Sequence, residues 1–166
     1  HNIPQMNEPT YIDVVQFCSL GVNSNLKFVM SESDVYRIPS KDIAFLTFRA
    51  LPPKRHIVKY IQVGKSNGIF DGAYASKDSK GKYNSIPVVT IKRTAERNLN
   101  FQNKNINAKA NMWFGELRES KTVDGDCGSP LIINSSYGYS IVGLHCLAGN
   151  FDKTVLATEI DGTFVS

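Results

Sequence analysis

Thr122-Val123-Asp124-Gly125-Asp126-Cys127-Gly128-Ser129-Pro130-Leu131-Ile132-Ile133, followed ten residues on by Gly143-Leu144-His145-Cys146-Leu147-Ala148-Gly149, decides how this chain is read. Gly125 and Gly128 flank Cys127 and permit a tight turn, and a β-rich run follows it at once. In such a turn the backbone N–H groups of Gly125 and Cys127 can converge on one point, where the oxyanion of an acyl transfer would form. A lone cysteine in a turn is more often a small, inert core side chain. On these residues alone both readings stand.

The hexapeptide Gly125-Asp126-Cys127-Gly128-Ser129-Pro130 resembles the Gly-Asp-Ser-Gly turn of chymotrypsin-like proteases, with sulfur in place of oxygen. It is similar to the 3C-like cysteine proteases of picorna-like viruses, dicistro- and iflavirus main proteases included, and to the related potyviral NIa proteases. Those families carry a Thr five residues before the Cys, here Thr122, and a Gly-x-His soon after it, here Gly143-Leu144-His145. The resemblance implies a viral thiol protease that processes a polyprotein in the host cytoplasm. It also implies that Thr122 and His145 line an S1 pocket reading Gln, with Glu as second choice. Leu147-Ala148-Gly149 would be the edge strand on which an extended peptide pairs.

Length and composition agree with a small globular protein. At 166 residues the chain can bury a real core. No run approaches the ~18 apolar residues of a membrane helix, and the start lacks a basic-then-apolar signal pattern. The three cysteines, Cys18, Cys127 and Cys146, are odd in number and form no C-x-x-C pair, which argues for a reducing compartment. Cys146 beside His145 invites a metal reading, but Cys18 and His56 complete no ligand spacing, so no metal or cofactor is expected.

Short apolar runs bounded by Gly, Pro, Asn and Ser recur along the chain: 11–17, 26–30, 43–48, 57–63, 86–91, 112–117, 131–133, 139–144 and 154–160. They are rich in Val, Ile, Phe and Tyr and predict an all-β barrel or sandwich, with one short helical turn at 95–101. Pro52-Pro53 marks a linker at 51–56, since proline cannot donate to a ladder. In the resembling families a linker here joins two β-barrels with the active site between them. The second barrel, 57–166, looks complete, whereas the first, 1–50, looks short, and strands ahead of His1 are expected.

Lys41-Asp42-Ile43-Ala44-Phe45-Leu46 resembles the strand that delivers the orienting acid in chymotrypsin-like enzymes. The families place the catalytic base well upstream of that acid, and His1 is the histidine found there. The resemblance therefore implies a Cys127–His1–Asp42 triad. His1 would take the Cys127 proton or share it as a thiolate–imidazolium pair, and Asp42 would accept the other imidazole N–H. Asp126 is unexplained, since a charge beside a nucleophilic sulfur is unfavourable unless it turns away or finds a cation.

Charge is uneven. The total is +4, but residues 49–109 carry +10 and the remainder −6. The segment reads either as a solvated basic face or as a polyanion site. Arg49, Lys54, Arg55 and Lys59 loosely resemble the RNA-binding inter-barrel linker of some picornaviral relatives, although Pro-Pro-Lys-Arg-His-Ile departs from their Lys-Phe-Arg-Asp-Ile order. A non-catalytic β-barrel module that binds viral RNA is the competing reading.

Overall fold

The computed structural model describes residues 3–16, 24–51, 57–61, 67–77, 80, 82–100, 107–118, 126–136, 138–148 and 154–160. Within them the regular structure is β-strand, interrupted only by single 3₁₀ turns. The first part is two hairpin ladders. β1 (Thr10–Gln16) pairs antiparallel with β2 (Ser24–Met30), and β3 (Val35–Ile38) with β4 (Ile43–Leu46). A 3₁₀ turn at Glu32–Asp34 joins the ladders, closed by the Ser31 N–H donating to Asp34 Oδ2 at 3.1 Å. Phe28 of β2 meets Phe48, two residues beyond β4, edge to face at 5.6 Å.

The second part closes into a six-stranded antiparallel barrel in the order β10-β7-β6-β5-β8-β9. Its strands are β5 (Phe70–Lys77), β6 (Tyr83–Asn100), β7 (Asn107–Leu117), β8 (Pro130–Ser135), β9 (Gly138–Ala148) and β10 (Thr154–Glu159). Side chains alternate across a strand, so period-two apolar residues fill the interior. Leu131 and Ile133 of β8, Val155 and Ala157 of β10, and Trp113 and Leu117 of β7 do so, around Tyr74 and Val142. On β6 the buried set runs Ile86, Val88, then Ile91, a change of parity. It coincides with an irregularity between Val89 and Lys92, where Thr90 takes φ 56. An extra residue there returns Ile91 to the core.

Two expectations fail. Residues 95–100 do not form a helical turn: they continue β6 and pair with β7 as far as Asn100 opposite Asn107. β6 and β7 run on beyond the register of β5 and β10 as a two-stranded ribbon. The helix-compatible Ala95-Glu96-Arg97 run is overruled by a partner strand that supplies the ladder bonds. The strand expected from Ile57 is instead a 3₁₀ turn at Val58–Tyr60, with Ile61 making a single bridge to Ile141. Its bonds, Tyr60 N–H to Ile57 O and Ile61 N–H to Val58 O, turn Ile61 inward (6% exposed) while Ile57 stays 54% exposed. The runs at β3 and β5 were not legible as strands, and both matter below.

Candidate active site

The turn around Cys127 is built locally. Ser129 N–H donates to Asp126 O at 3.0 Å, closing a four-residue turn with Cys127 and Gly128 at its centre. Gly128 sits at φ 87, the left-handed backbone that a type II turn demands at its third position. A Cβ at Gly128 would meet nothing within 4 Å, so conformation and not space calls for glycine. The turn is pinned to β9 by Gly128 N–H donating to His145 O at 2.8 Å and His145 N–H donating to Ser129 O at 2.9 Å. Nucleophile candidate and pocket histidine are thus tied through two backbone bonds.

Gly143 serves β9 differently. A Cβ there would lie 2.8 Å from Thr158 O and 3.1 Å from the Ala157 Cβ. Only glycine lets β9 and β10 approach this closely two residues before His145.

Cys127 is exposed, with Sγ 3.8 Å from the Cys146 carbonyl oxygen, and Cys146 is buried. The Cys146 thiol donates to Leu156 O at 3.4 Å, and burial pushes its pKa up to about 12. Both are free thiols, and only Cys127 is open to a reagent.

His145 is buried, 5% exposed. Its Nδ1 lies 3.0 Å from Tyr74 Oη, and the two rings meet edge-on at 4.8 Å. Burial lowers the imidazole pKa, opposed in part by the carboxylate of Asp126. Burial also raises the Tyr74 pKa, so the phenol keeps its proton. Asp126, 9% exposed, accepts from Ser76 Oγ at 3.2 Å. Tyr74 and Ser76 are alternate residues of β5 and share one face. One strand therefore holds both the histidine and the acid. The charge that sequence left unplaced is buried against the Ser76 hydroxyl.

Asp42 follows the 3₁₀ turn Pro39–Lys41 and takes φ 55, ψ 43, a left-handed conformation that aspartate tolerates better than most residues. That turn packs against β7 of the barrel. A cavity of about 650 Å³ opens between the first part of the chain and the barrel, and Ile3, Pro4, Asp42, Cys127, His145 and Thr158 all lie on its wall.

The structure thus brings Asp42, Cys127 and His145 to one cavity. His1, Thr122, Gly125, Gly149, Lys54 and Arg55 lie outside the described residues. Leu147 and Ala148 belong to β9 and pair with β10, whereas the register of β8 on β9 ends at Leu144. Arg49 lies 3.8 Å from Asp34, and the Lys59 ammonium stands 5.0 Å from the Tyr60 ring. Nothing in those two contacts marks a polyanion surface. Sequence reasoning missed Tyr74 and Ser76. The alternation of Tyr74 and Ser76 was a usable signal, masked by the small residues Gly72, Ala73 and Ala75.

No family model matches the chain, and no curated protein matches it. Solved structures do. The murine norovirus NS6 protease, as an inactive mutant extended at its C-terminus into NS7, superposes with a TM-score of 0.54 at 19% identity. That match covers 78% of this chain and 72% of the other. A second such extended form gives 0.52 at 17% identity, over 78% and 76% of the two chains. The NS6 protease of murine norovirus 1 gives 0.50 at 17% identity, over 76% and 68%. The chain has the chymotrypsin-like fold of the viral 3C-like proteases. In that 3C-like fold, the cavity described above lies between the closed barrel and the two ladders that precede it.

Proposed function

We propose that the chain is a cysteine endopeptidase that cuts a viral polyprotein after glutamine, with Cys127 as nucleophile, His1 as base and Asp42 as orienting acid. The observation that carries this reading is the meeting of Cys127, Asp42 and His145 on one cavity wall within a 3C-like fold. His1 precedes Ile3, itself a wall residue, by two positions. Two residues of extended chain span at most about 7 Å, a reach that supports the reading of His1 as base.

The chemistry is acyl transfer. His1 accepts the Cys127 proton, Sγ bonds to the scissile carbonyl carbon, and the Gly125 and Cys127 N–H groups receive the oxyanion. The C–N bond then breaks, and His1 returns the proton to the leaving amine. Water, deprotonated by His1, hydrolyses the thioester and frees Cys127.

His145 supplies the selectivity. In the tautomer in which Tyr74 donates to Nδ1, the imidazole proton rests on Nε2 and can be donated to a glutamine side-chain oxygen. Thr122 would add its hydroxyl. A side chain that leaves such donors unpaired is rejected. Glutamate is the second choice, because it presents the same oxygen with a charge the lowered pKa of His145 does not match.

Cys127→Ala is expected to abolish cleavage of Gln-containing peptides while the circular dichroism and melting transition persist. His145→Ala should narrow the preference for Gln over Leu by about 2–3 kcal/mol, read from kcat/KM ratios. Cleavage surviving in Cys127→Ala removes the nucleophile. Full Gln selectivity in His145→Ala removes the pocket.

A further inference from the structure

Arg37, on β3, engages three residues with its guanidinium. Nη1 donates to Ile3 O at 2.6 Å and Nη2 to Pro4 O at 2.9 Å. Nε donates to Glu32 Oε1 at 2.8 Å, and Nη2 lies 2.6 Å from the same oxygen. The planar fork fits two successive carbonyls on one side and a carboxylate on the other.

The held segment belongs to no ladder among the described residues. None of the described strands includes residues 3–9, and Pro4 has no N–H to give to a ladder. Yet Ile3 and Pro4 form one wall of the cavity that contains Cys127, and Arg37 lies on that wall with them. Arg37 also sits on the hairpin that presents Asp42, with Arg37 opposite Ala44 in the β3–β4 register. Glu32 anchors the guanidinium from the preceding 3₁₀ turn. A single side chain therefore joins the hairpin bearing the acid to the segment that continues from His1.

We infer that Arg37 is a positioning residue: by clamping the Ile3 and Pro4 carbonyls it fixes, on the cavity wall shared with Cys127 and Asp42, the residues that follow the proposed base, His1. This rests on the reading of His1 as base, and it adds a residue that touches neither substrate nor the reacting atoms. Its contribution belongs to the chemical step, because a base displaced by about 1 Å can cost about 100-fold in rate.

The test compares Arg37→Ala, Arg37→Lys and His1→Ala with the parent chain. In Arg37→Ala, kcat is expected to fall about 10- to 100-fold with KM within about twofold. Added guanidinium ion should restore several-fold of the loss, and Arg37→Lys should recover only part, since an ammonium cannot serve two carbonyls and a carboxylate as a fork does. Amide exchange at Ile3, Gln5 and Met6 should quicken in Arg37→Ala, a readout independent of cleavage. Unchanged exchange at those amides overturns the clamp. A loss confined to KM, or one that guanidinium does not restore in a folded variant, overturns the positioning role. Full activity in His1→Ala retires the base assignment and with it the role given to Arg37. An inactive His1→Ala beside a fully active Arg37→Ala retires the Arg37 role alone. If Arg37→Ala does not fold, Glu32→Gln loosens the same fork with its shape kept and is judged by the same readouts.

Discussion

Tyr74 Oη lies 3.0 Å from His145 Nδ1, joining the middle of β5 to the histidine that sits one strand over from the Cys127 turn. The phenol is almost wholly buried and its pKa is raised by that burial, so the contact is a hydrogen bond between neutral groups. It chooses which imidazole nitrogen is left for a ligand.

Tyr74→Phe keeps the ring and its edge-on packing but leaves Nδ1 without that partner. The cost of an unpaired buried group is about 1–3 kcal/mol. The preference for Gln over Leu should fall by about tenfold, measured as a ratio of kcat/KM values. An unchanged ratio would mean that packing alone orients the imidazole.

Burial lowers the His145 pKa in the folded chain, while the unfolded chain titrates near ~6.5. Below about pH 6.5 the unfolded state therefore binds the extra proton first, and stability falls as pH falls through that window. Urea unfolding at pH 7.5 and 5.5 should show the loss, and His145→Gln should show less of it. Asp126→Asn withdraws the charge that opposes the shift, so the His145 titration followed by NMR should move to still lower pH.

The two described thiols differ in access and acidity. Cys127 is exposed, whereas Cys146 is buried with a pKa near 12. Iodoacetamide at pH 7.5 should label Cys127 in the folded chain and reach Cys146 only with denaturant, as peptide mass mapping would reveal. Equal labelling of both in the native state would mean that β9 and β10 open readily.

Gly143→Ala places a Cβ 2.8 Å from Thr158 O, a backbone atom that cannot step aside without moving β10. Overpacking of this kind costs about 1–3 kcal/mol. The variant should melt lower and, because His145 follows two residues on, lose Gln selectivity as well. A melting curve matching the parent would show that the strands part without penalty.

The reach of the sequence follows from the range of the forces involved. The Cys127 turn was legible because its determinants are neighbours: a glycine for φ 87 and a bond from Ser129 to Asp126. Strands β8 and β10 were legible because period-two apolar residues such as Leu131/Ile133 and Val155/Ala157 must share a face. β5 was not, because Gly72, Ala73 and Ala75 carry little strand preference and the closing barrel alone commits them. Residues 95–100 followed the partner strand, against their local pattern. The contacts that give the site its character are longer still in sequence: Tyr74 to His145 across 71 residues, Ser76 to Asp126 across 50, and Arg37 to Ile3 across 34. No local propensity encodes such pairs. They exist because barrel closure sets β5 beside β8, and because the hairpin carrying Asp42 shares a cavity wall with the chain's third and fourth residues.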